Sequence, residues 1–184
     1  SKNILTKQQI NDASEEFKEE INEHLQIAFD EETIKVDLTS ELKDVYKEYQ
    51  QEIIVPSNQK SNIRLIDDIS KGLRESIERY DNLIIMGQDV AEYGGVFKIT
   101  EGFANQFGRD RVRNTPNCES AIVSAAYGAS LNGMKAVMEM QFADFVSSGF
   151  NPIVNLLAKS NYRWNQNADV VIRMPCGAGV GAGP

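Results

Sequence analysis

One carboxylate stands at the start of an unusual helical stretch. Glu119 follows the turn-forming run 114–118 (Asn-Thr-Pro-Asn-Cys) and precedes a stretch dominated by alanine, serine and glycine that ends at Gly133. A helix of such small residues has no polar face for water, so we expect it to be buried on most sides. An ionisable group at the mouth of a buried helix is costly unless it has a use, and a single carboxylate offers hydrogen bonding and proton transfer. The alternative is a helix cap, which the helix dipole stabilises by about 0.3–1 kcal/mol.

Other chemically reactive residues give weaker signals. Cys118 could be a thiolate nucleophile at a helix amino end, but the single histidine, His24, lies on a distant surface helix, so a small buried residue is favoured. Phe142 and Phe145 have the spacing of core residues or of a flat platform for a cofactor. The glycine-rich run that starts at Cys176 lacks the following helix that a dinucleotide-binding loop requires, so a flexible turn or a truncated loop is favoured.

Composition and charge narrow the class of protein. The chain has 184 residues, of which 41% are hydrophobic and 25% charged, which is ordinary for a globular protein. Residues 1–55 carry 14 acidic and 6 basic side chains, so the whole net charge of -8 lies there and residues 56–184 are neutral. This balance disfavours nucleic acid as a partner, and no apolar run is long enough for a membrane span. The two cysteines form no CxxC motif and have no metal-binding spacing. A reducing compartment is the default for such a chain, so we expect a cytoplasmic protein.

The sequence divides into an acidic helical arm (1–52), a linker around Pro56 (53–62) and a domain (63–184). In the arm, Thr6 and Gln9 have the spacing of a capping box, and apolar residues recur at helical spacing behind them. A second arm helix is predicted from about residue 40 to 51. The apolar stripe must be buried, either on a partner or missing domain or on the core of this chain.

The domain alternates helices with short apolar strands. Strands are predicted at 83–87, 135–140 and 170–174, with a brief one at 111–113, and helices at 63–80, 100–107 and 118–132; residues 142–164 are expected to be largely helical. This alternation predicts an α/β fold with an open, mostly parallel sheet and helices on both faces. Ligands of such folds lie at the carboxyl ends of the strands, where the sequence places Gln88–Asp89, Gln141–Phe145 and the glycine-rich end.

Several motifs occur in order along the domain and point to one family. They are Met86–Val90 (MGQDV), Gly94–Phe97 (GGVF), Thr100–Gly102 (TEG), Asn114–Glu119 (NTPNCE), Glu139–Phe145 (EMQFADF) and Arg173–Pro175 (RMP). Together they resemble the beta subunit of the thiamine-diphosphate-dependent decarboxylating component of 2-oxoacid dehydrogenase complexes, above all the branched-chain type. The arm is similar to the carboxyl-terminal tail of the alpha subunit of the same enzyme. The resemblance therefore implies a piece of a fused alpha–beta chain, with a transketolase-like pyrimidine-binding domain at 63–184 that is inactive alone.

The resemblance also implies roles for individual residues. Glu119 matches the carboxyl group that hydrogen-bonds the aminopyrimidine ring of thiamine diphosphate and promotes its activation. Gln141 and Phe145 match positions that line the pyrimidine pocket, and Asn117 lies in the same turn. Magnesium would be held by the alpha part, outside these residues. Part of a potassium site is implied for the backbone carbonyls of Ala168, Val170 and Val171.

The implied substrate is a 2-oxoacid, and the implied partners are the alpha part, a second beta domain and a lipoylated acyltransferase. Three positions depart from the family pattern: Gln88 replaces a frequent glutamate, Asn117 a leucine or isoleucine, and Phe145 a tyrosine. Two alternatives stay open. One is a transketolase-like or deoxyxylulose-phosphate-synthase-like thiamine enzyme, and the other is a non-catalytic assembly module in which Glu119 only caps a helix.

Overall fold

The computed structural model describes residues 4–50 and 52–177, and the chain forms two compact units, Ser1–Thr39 and Ser40–Pro184. The first unit is dominated by helix α1 (Lys7–Asp30). The predicted capping box is present, because the Gln9 amide donates to Thr6 Oγ1 at 3.2 Å and the Thr6 amide donates to Gln9 Oε1 at 2.9 Å. The apolar residues of α1 are exposed, so this helix has no core of its own.

Helix α2 (Leu38–Asp44) is shorter than the predicted 40–51 helix. The carboxyl-terminal part of α2 contacts helix α7 (Ser160–Trp164) within the second unit. Tyr162 donates its hydroxyl hydrogen to Glu41 Oε2 at 2.9 Å, which raises the pKa of the tyrosine, and Asn161 donates to the Asp44 carbonyl at 3.2 Å. Residues 41–44 therefore belong with the second unit. The predicted boundaries at 52 and 62 remain a proposal.

Four short parallel strands form the sheet of the second unit, as predicted. They are β1 (Leu83–Gly87), β2 (Val112–Asn114), β3 (Lys135–Glu139) and β4 (Val170–Arg173), in the order β2-β1-β3-β4. The pairing sets Gly87 opposite Glu139, and Glu139 opposite Arg173. Three strands thus end level with one another, and their carboxyl ends form a common edge.

Both faces of the sheet are covered, which explains the continuous apolar run of β1. Leu83 and Ile85 pack on one face with helices α3 (Leu65–Arg79) and α4 (Phe103–Phe107). Ile84 and Met86 pack on the other face with helices α5 (Glu119–Leu131) and α6 (Phe150–Asn155). The alternation of a strand sends neighbouring side chains to opposite faces, so a strand covered on both sides has no polar position. The predicted fold class is confirmed.

The stretch 142–164 is more broken than predicted. It contains 3-10 turns at Ala143–Ser147 and Leu157–Lys159 and the two short helices α6 and α7. Pro152 has no amide hydrogen and clashes with a preceding helical turn, so it is tolerated only in the first turn of a helix, which restarts at Phe150. Within the described part of the chain, no helix is both long enough and apolar enough to cross a membrane.

Candidate functional site

Glu119 is the first residue of α5, and its described hydrogen bond does not cap the helix. Gln88, which follows β1 and is 3% exposed, donates its amide hydrogen to Glu119 Oε1 at 3.0 Å. The preceding residue, Cys118, makes no side-chain cap either. Among residues 4–50 and 52–177, no hydrogen-bond donor is assigned to Glu119 Oε2. The carboxylate is therefore oriented from one side by a buried amide, and its second oxygen remains available to a ligand.

The turn before Glu119 is attached to the end of β1. The Thr115 amide donates to the Gly87 carbonyl at 2.9 Å, and Asn114 Oδ1 accepts from the Ala91 amide at 2.8 Å. Thr115 Oγ1 is buried and has no hydrogen-bond partner within the described residues. Buried polar groups without a partner are rare in folded proteins, so this hydroxyl in the same turn as Glu119 has capacity for a further polar contact.

A cavity of about 420 Å³ opens at the same edge of the sheet. Its walls come from the loop 93–97, from residues 141–144 after β3 and from residues 175–177 after β4. Gln141 lines this cavity. Phe145 does not line it, but its ring packs edge-to-face on Phe142, a lining residue, with centroids 5.5 Å apart.

The sequence-predicted site residues are thus brought to one edge but not into one cavity. Glu119 and Asn117 are absent from the lining of the 420 Å³ cavity, and Asn117 is exposed in its turn. The two parts are adjacent, because a Cβ built on Gly149 would lie 2.9 Å from Met140 Cε and 3.6 Å from the Glu119 carbonyl oxygen. Gly149 therefore lies between the Met140 side chain, next to Gln141 in the chain, and the first turn of α5.

A buried ion pair at this edge was missed by the sequence analysis. Glu139, the last residue of β3, is 1% exposed and pairs with Arg173, the last residue of β4. Its other oxygen, Oε1, accepts from the Val96 amide at 2.8 Å. The sequence does place an acidic residue at the end of one apolar strand and a basic residue at the end of another. The register of the strands was needed to show that the two residues form a pair.

The residues proposed for potassium lie along β4. Ala168 precedes the strand, and Val170 and Val171 are in it. The described residues contain no cluster of three or more histidine, cysteine, aspartate or glutamate side chains that could hold a metal ion. A potassium site built from backbone carbonyls therefore remains a proposal.

The fold is an α/β domain with a parallel sheet, a class of fold whose ligands usually bind where the strands end. The family model described as "Transketolase, pyrimidine binding domain" matches residues 62–184. The chain therefore belongs to the transketolase pyrimidine-binding domain family.

Curated relatives carry the names that the motifs implied. The chain is 44% identical over 117 residues to the 2-oxoisovalerate dehydrogenase subunit beta of Bacillus subtilis, an alignment that covers 62% of this chain and 36% of the relative. It is 37% identical over 129 residues to the pyruvate dehydrogenase E1 component subunit beta of Leifsonia xyli, covering 69% and 38%. It is 34% identical over 125 residues to the 2-oxoisovalerate dehydrogenase subunit beta of Pseudomonas aeruginosa, covering 67% and 36%.

These relatives confirm the resemblance to beta subunits of 2-oxoacid dehydrogenases. The chain spans less than two fifths of the length of each of them. The resemblance of the arm to an alpha-subunit tail remains a proposal, since the family model begins at residue 62.

Proposed function

We propose that this chain supplies the pyrimidine-binding part of a thiamine-diphosphate-dependent 2-oxoacid dehydrogenase. The observation that carries the proposal is the Glu119 carboxylate, which Gln88 orients at the edge where three parallel strands end. The family match and the names of the relatives support the same assignment.

The residues at this edge fit the aminopyrimidine end of the cofactor. That ring presents a nitrogen acceptor and an amino group, and the fit needs one carboxyl group with a free oxygen and nearby polar groups. Glu119 provides the carboxyl group with a free oxygen, Oε2. Gln141 and the unpartnered hydroxyl of Thr115 provide the nearby polar groups. When bound, thiamine diphosphate supplies the carbon nucleophile and electron sink that decarboxylation of a 2-oxoacid requires.

The side chains of this chain have distinct tasks in the proposal. Glu119 holds a proton at Oε2 and shares it with the ring, while the amide of Gln88 keeps Oε1 in place. Gln141 and Phe145 form the side of the pocket after β3, and Asn117 contacts the ring from its turn. An amide at position 88, instead of the glutamate frequent in the family, leaves Glu119 as the single carboxylate of this hydrogen-bonded pair.

The partners follow from the same assignment. The alpha part would provide the magnesium and diphosphate site, and the acyl group would pass to the lipoyl group of an acyltransferase. A second beta domain would pack on the exposed small side chains of α5, such as Ala121 and Ala125. We further propose that residues 1–52 are an alpha-subunit tail fused ahead of the domain through the linker 53–62. Potassium at Ala168, Val170 and Val171 would complete the assignment.

The test is turnover of 2-oxoacids by the full-length enzyme carrying Glu119→Ala. We expect kcat to fall by about 10²–10⁴-fold, the usual contribution of a positioned acid–base group. Glu75→Ala, which removes an exposed carboxylate of α3, is the matched control and should leave turnover within about twofold of wild type. Near-normal turnover of Glu119→Ala, with circular dichroism unchanged, would restore the helix-cap interpretation and contradict the proposal. The 184-residue chain alone is expected to be inactive.

A further inference from the structure

The loop that forms one wall of the 420 Å³ cavity has an unfavourable backbone. Phe97 (φ 57°) and Lys98 (φ 60°) both adopt the left-handed conformation, which is strained for a non-glycine residue. Two such residues in succession persist only when the surrounding structure fixes them. We therefore expect the position of this loop to depend strongly on its contacts with the sheet.

Glu139 joins the loop to the sheet, in addition to the hydrogen bond at 2.9 Å from the Gly95 amide to the Asp89 carbonyl after β1. Glu139 Oε1 accepts from the Val96 amide at 2.8 Å, directly before the left-handed residues. Gly95 packs so closely on the carboxylate that a Cβ there would lie 2.9 Å from Glu139 Oε1. The loop backbone thus rests on a charged group that is itself buried.

Arg173 keeps that carboxylate in place. The two residues are opposite one another in the β3–β4 register, and the guanidinium pairs with Glu139 Oε2 while Val96 takes Oε1. A buried carboxylate is costly without such a partner, and the arginine fork fixes its orientation. The chain also connects these residues to the two other cavity walls, because residues 141–144 follow Glu139 and residues 175–177 follow Arg173.

We propose that Glu139 and Arg173 are positioning residues that hold the loop 93–98 as a wall of the cavity beside Gln141. This inference rests on the proposed function in one respect, namely that the cavity takes the apolar side chain of the 2-oxoacid. The walls suit that chemistry, since Tyr93, Phe97 and Phe142 bring aromatic rings to it. The pair thereby sets the affinity for the substrate and touches no reacting atom.

Two double variants of the full-length enzyme distinguish the loss of the hydrogen-bond acceptor for the Val96 amide from the loss of the two charges. Glu139→Leu/Arg173→Met removes both charges and the acceptor for the Val96 amide, so no charge stays buried. Glu139→Gln/Arg173→Met also removes both charges but retains a side-chain oxygen for that amide. Lys135→Met/Asp169→Asn removes the ion pair at the other end of the same strands and is the control.

The first readout is hydrogen exchange of the peptide covering residues 93–98, measured without ligand. Exchange should be about tenfold faster or more in the leucine variant, because a hydrogen bond to a charged acceptor is lost. It should be intermediate in the glutamine variant, which keeps an acceptor for the Val96 amide that Arg173 no longer orients, and close to wild type in the control. Peptides from β1 and α5 report whether the domain is folded. Unchanged exchange at 93–98 in a folded leucine variant would overturn the inference.

The second readout is the split between KM and kcat for an apolar 2-oxoacid. KM should rise by about tenfold in the leucine variant while kcat stays within about threefold, and the glutamine variant should have a KM between those of the wild type and the leucine variant. Faster exchange at 93–98 with an unchanged KM would reduce the pair to a structural role and overturn the inference. If the wild-type enzyme turns over no 2-oxoacid, the proposed function fails, while the exchange data still decide whether the pair holds the loop.

Discussion

The two ends of the β3–β4 strand pair are each joined by an ion pair, but in different surroundings. At the amino ends, Lys135 Nζ lies 2.5 Å from Asp169 Oδ2, with 34% and 54% of the two side chains exposed. At the carboxyl ends, Glu139 and Arg173 have only 2% and 16% of their side chains exposed. The same strands therefore carry one solvated pair and one buried pair.

The surroundings of the two pairs explain what each can do. The hydrogen bond from Lys135 to Asp169 raises the pKa of the lysine, yet water can replace either partner, so such pairs contribute little to stability. Around Glu139 the loop backbone is left-handed, a glycine packs on the carboxylate and a cavity opens. Unfavourable backbone and buried charge thus lie at the carboxyl ends of the strands, where ligands of parallel sheets usually bind, and ordinary surface chemistry lies at the amino ends.

The largest difference in stability between the two ends is expected when the basic residue of each ion pair is replaced by methionine. Arg173→Met leaves the Glu139 carboxylate buried without its partner, which should cost about 3–5 kcal/mol. At 2–4 °C per kcal/mol, the melting temperature of the full-length protein should fall by roughly 6–20 °C. Lys135→Met, the same change at the amino end, should cost less than about 1 kcal/mol.

Differential scanning calorimetry of the two variants checks this comparison. Addition of Glu139→Leu to Arg173→Met should restore much of the loss, because no unpaired charge is then buried. Equal effects of Arg173→Met and Lys135→Met would show that the buried pair is no more important than the exposed one.

A smaller effect is expected from a methyl group at Gly95. Alanine there must adopt φ near 68° and would place its Cβ 2.9 Å from both Glu139 Oε1 and Thr100 Oγ1. The backbone and the crowding together should cost about 2–4 kcal/mol. Gly108→Ala is a matched control, since Gly108 has a similar backbone (φ 83°, ψ 157°, against φ 68°, ψ -177° at Gly95) but nothing within 4 Å of a built Cβ, so only the backbone cost of about 1–3 kcal/mol is expected.

Thermal unfolding of the two glycine variants separates these contributions. The difference between Gly95→Ala and Gly108→Ala measures how closely the loop packs on Glu139 and Thr100, because the backbone cost is similar in the two variants. If the two variants lose the same stability, the loop is free to move away from the carboxylate, and the comparison between the two ends weakens.

The fold was predictable from the sequence because its signals are local. The apolar run of β1 between two turns and the small-residue helix after Glu119 are complete within a few residues, and their order fixes a parallel sheet. The helical stretch 142–164 was predicted too simply, although Pro152 carried the signal for a break. Residues 178–184, which include most of the glycine-rich run, lie outside the described residues.

The site was only partly predictable because its contacts join distant residues. Glu119 was identified by its place at a helix start, but its hydrogen bond to Gln88 crosses 31 positions and the Glu139–Arg173 pair crosses 34. Such pairs depend on strand register, which a short apolar strand does not encode in its own pattern. Sequence patterns thus identified residues at the ends of helices and strands, but the tertiary structure was needed to show which of these residues contact one another.

The most direct test is a hydrogen-exchange map of the full-length protein with and without thiamine diphosphate and magnesium. Binding at the carboxyl edge should slow exchange in the segments 88–98, 115–120 and 141–145. The segments 133–136 and 166–169 at the amino edge should be unchanged, because they lie at the other end of the same strands. Protection at the amino edge, or none at the carboxyl edge under saturating cofactor, would contradict the assignment of the site to the end of the sheet that holds Glu119.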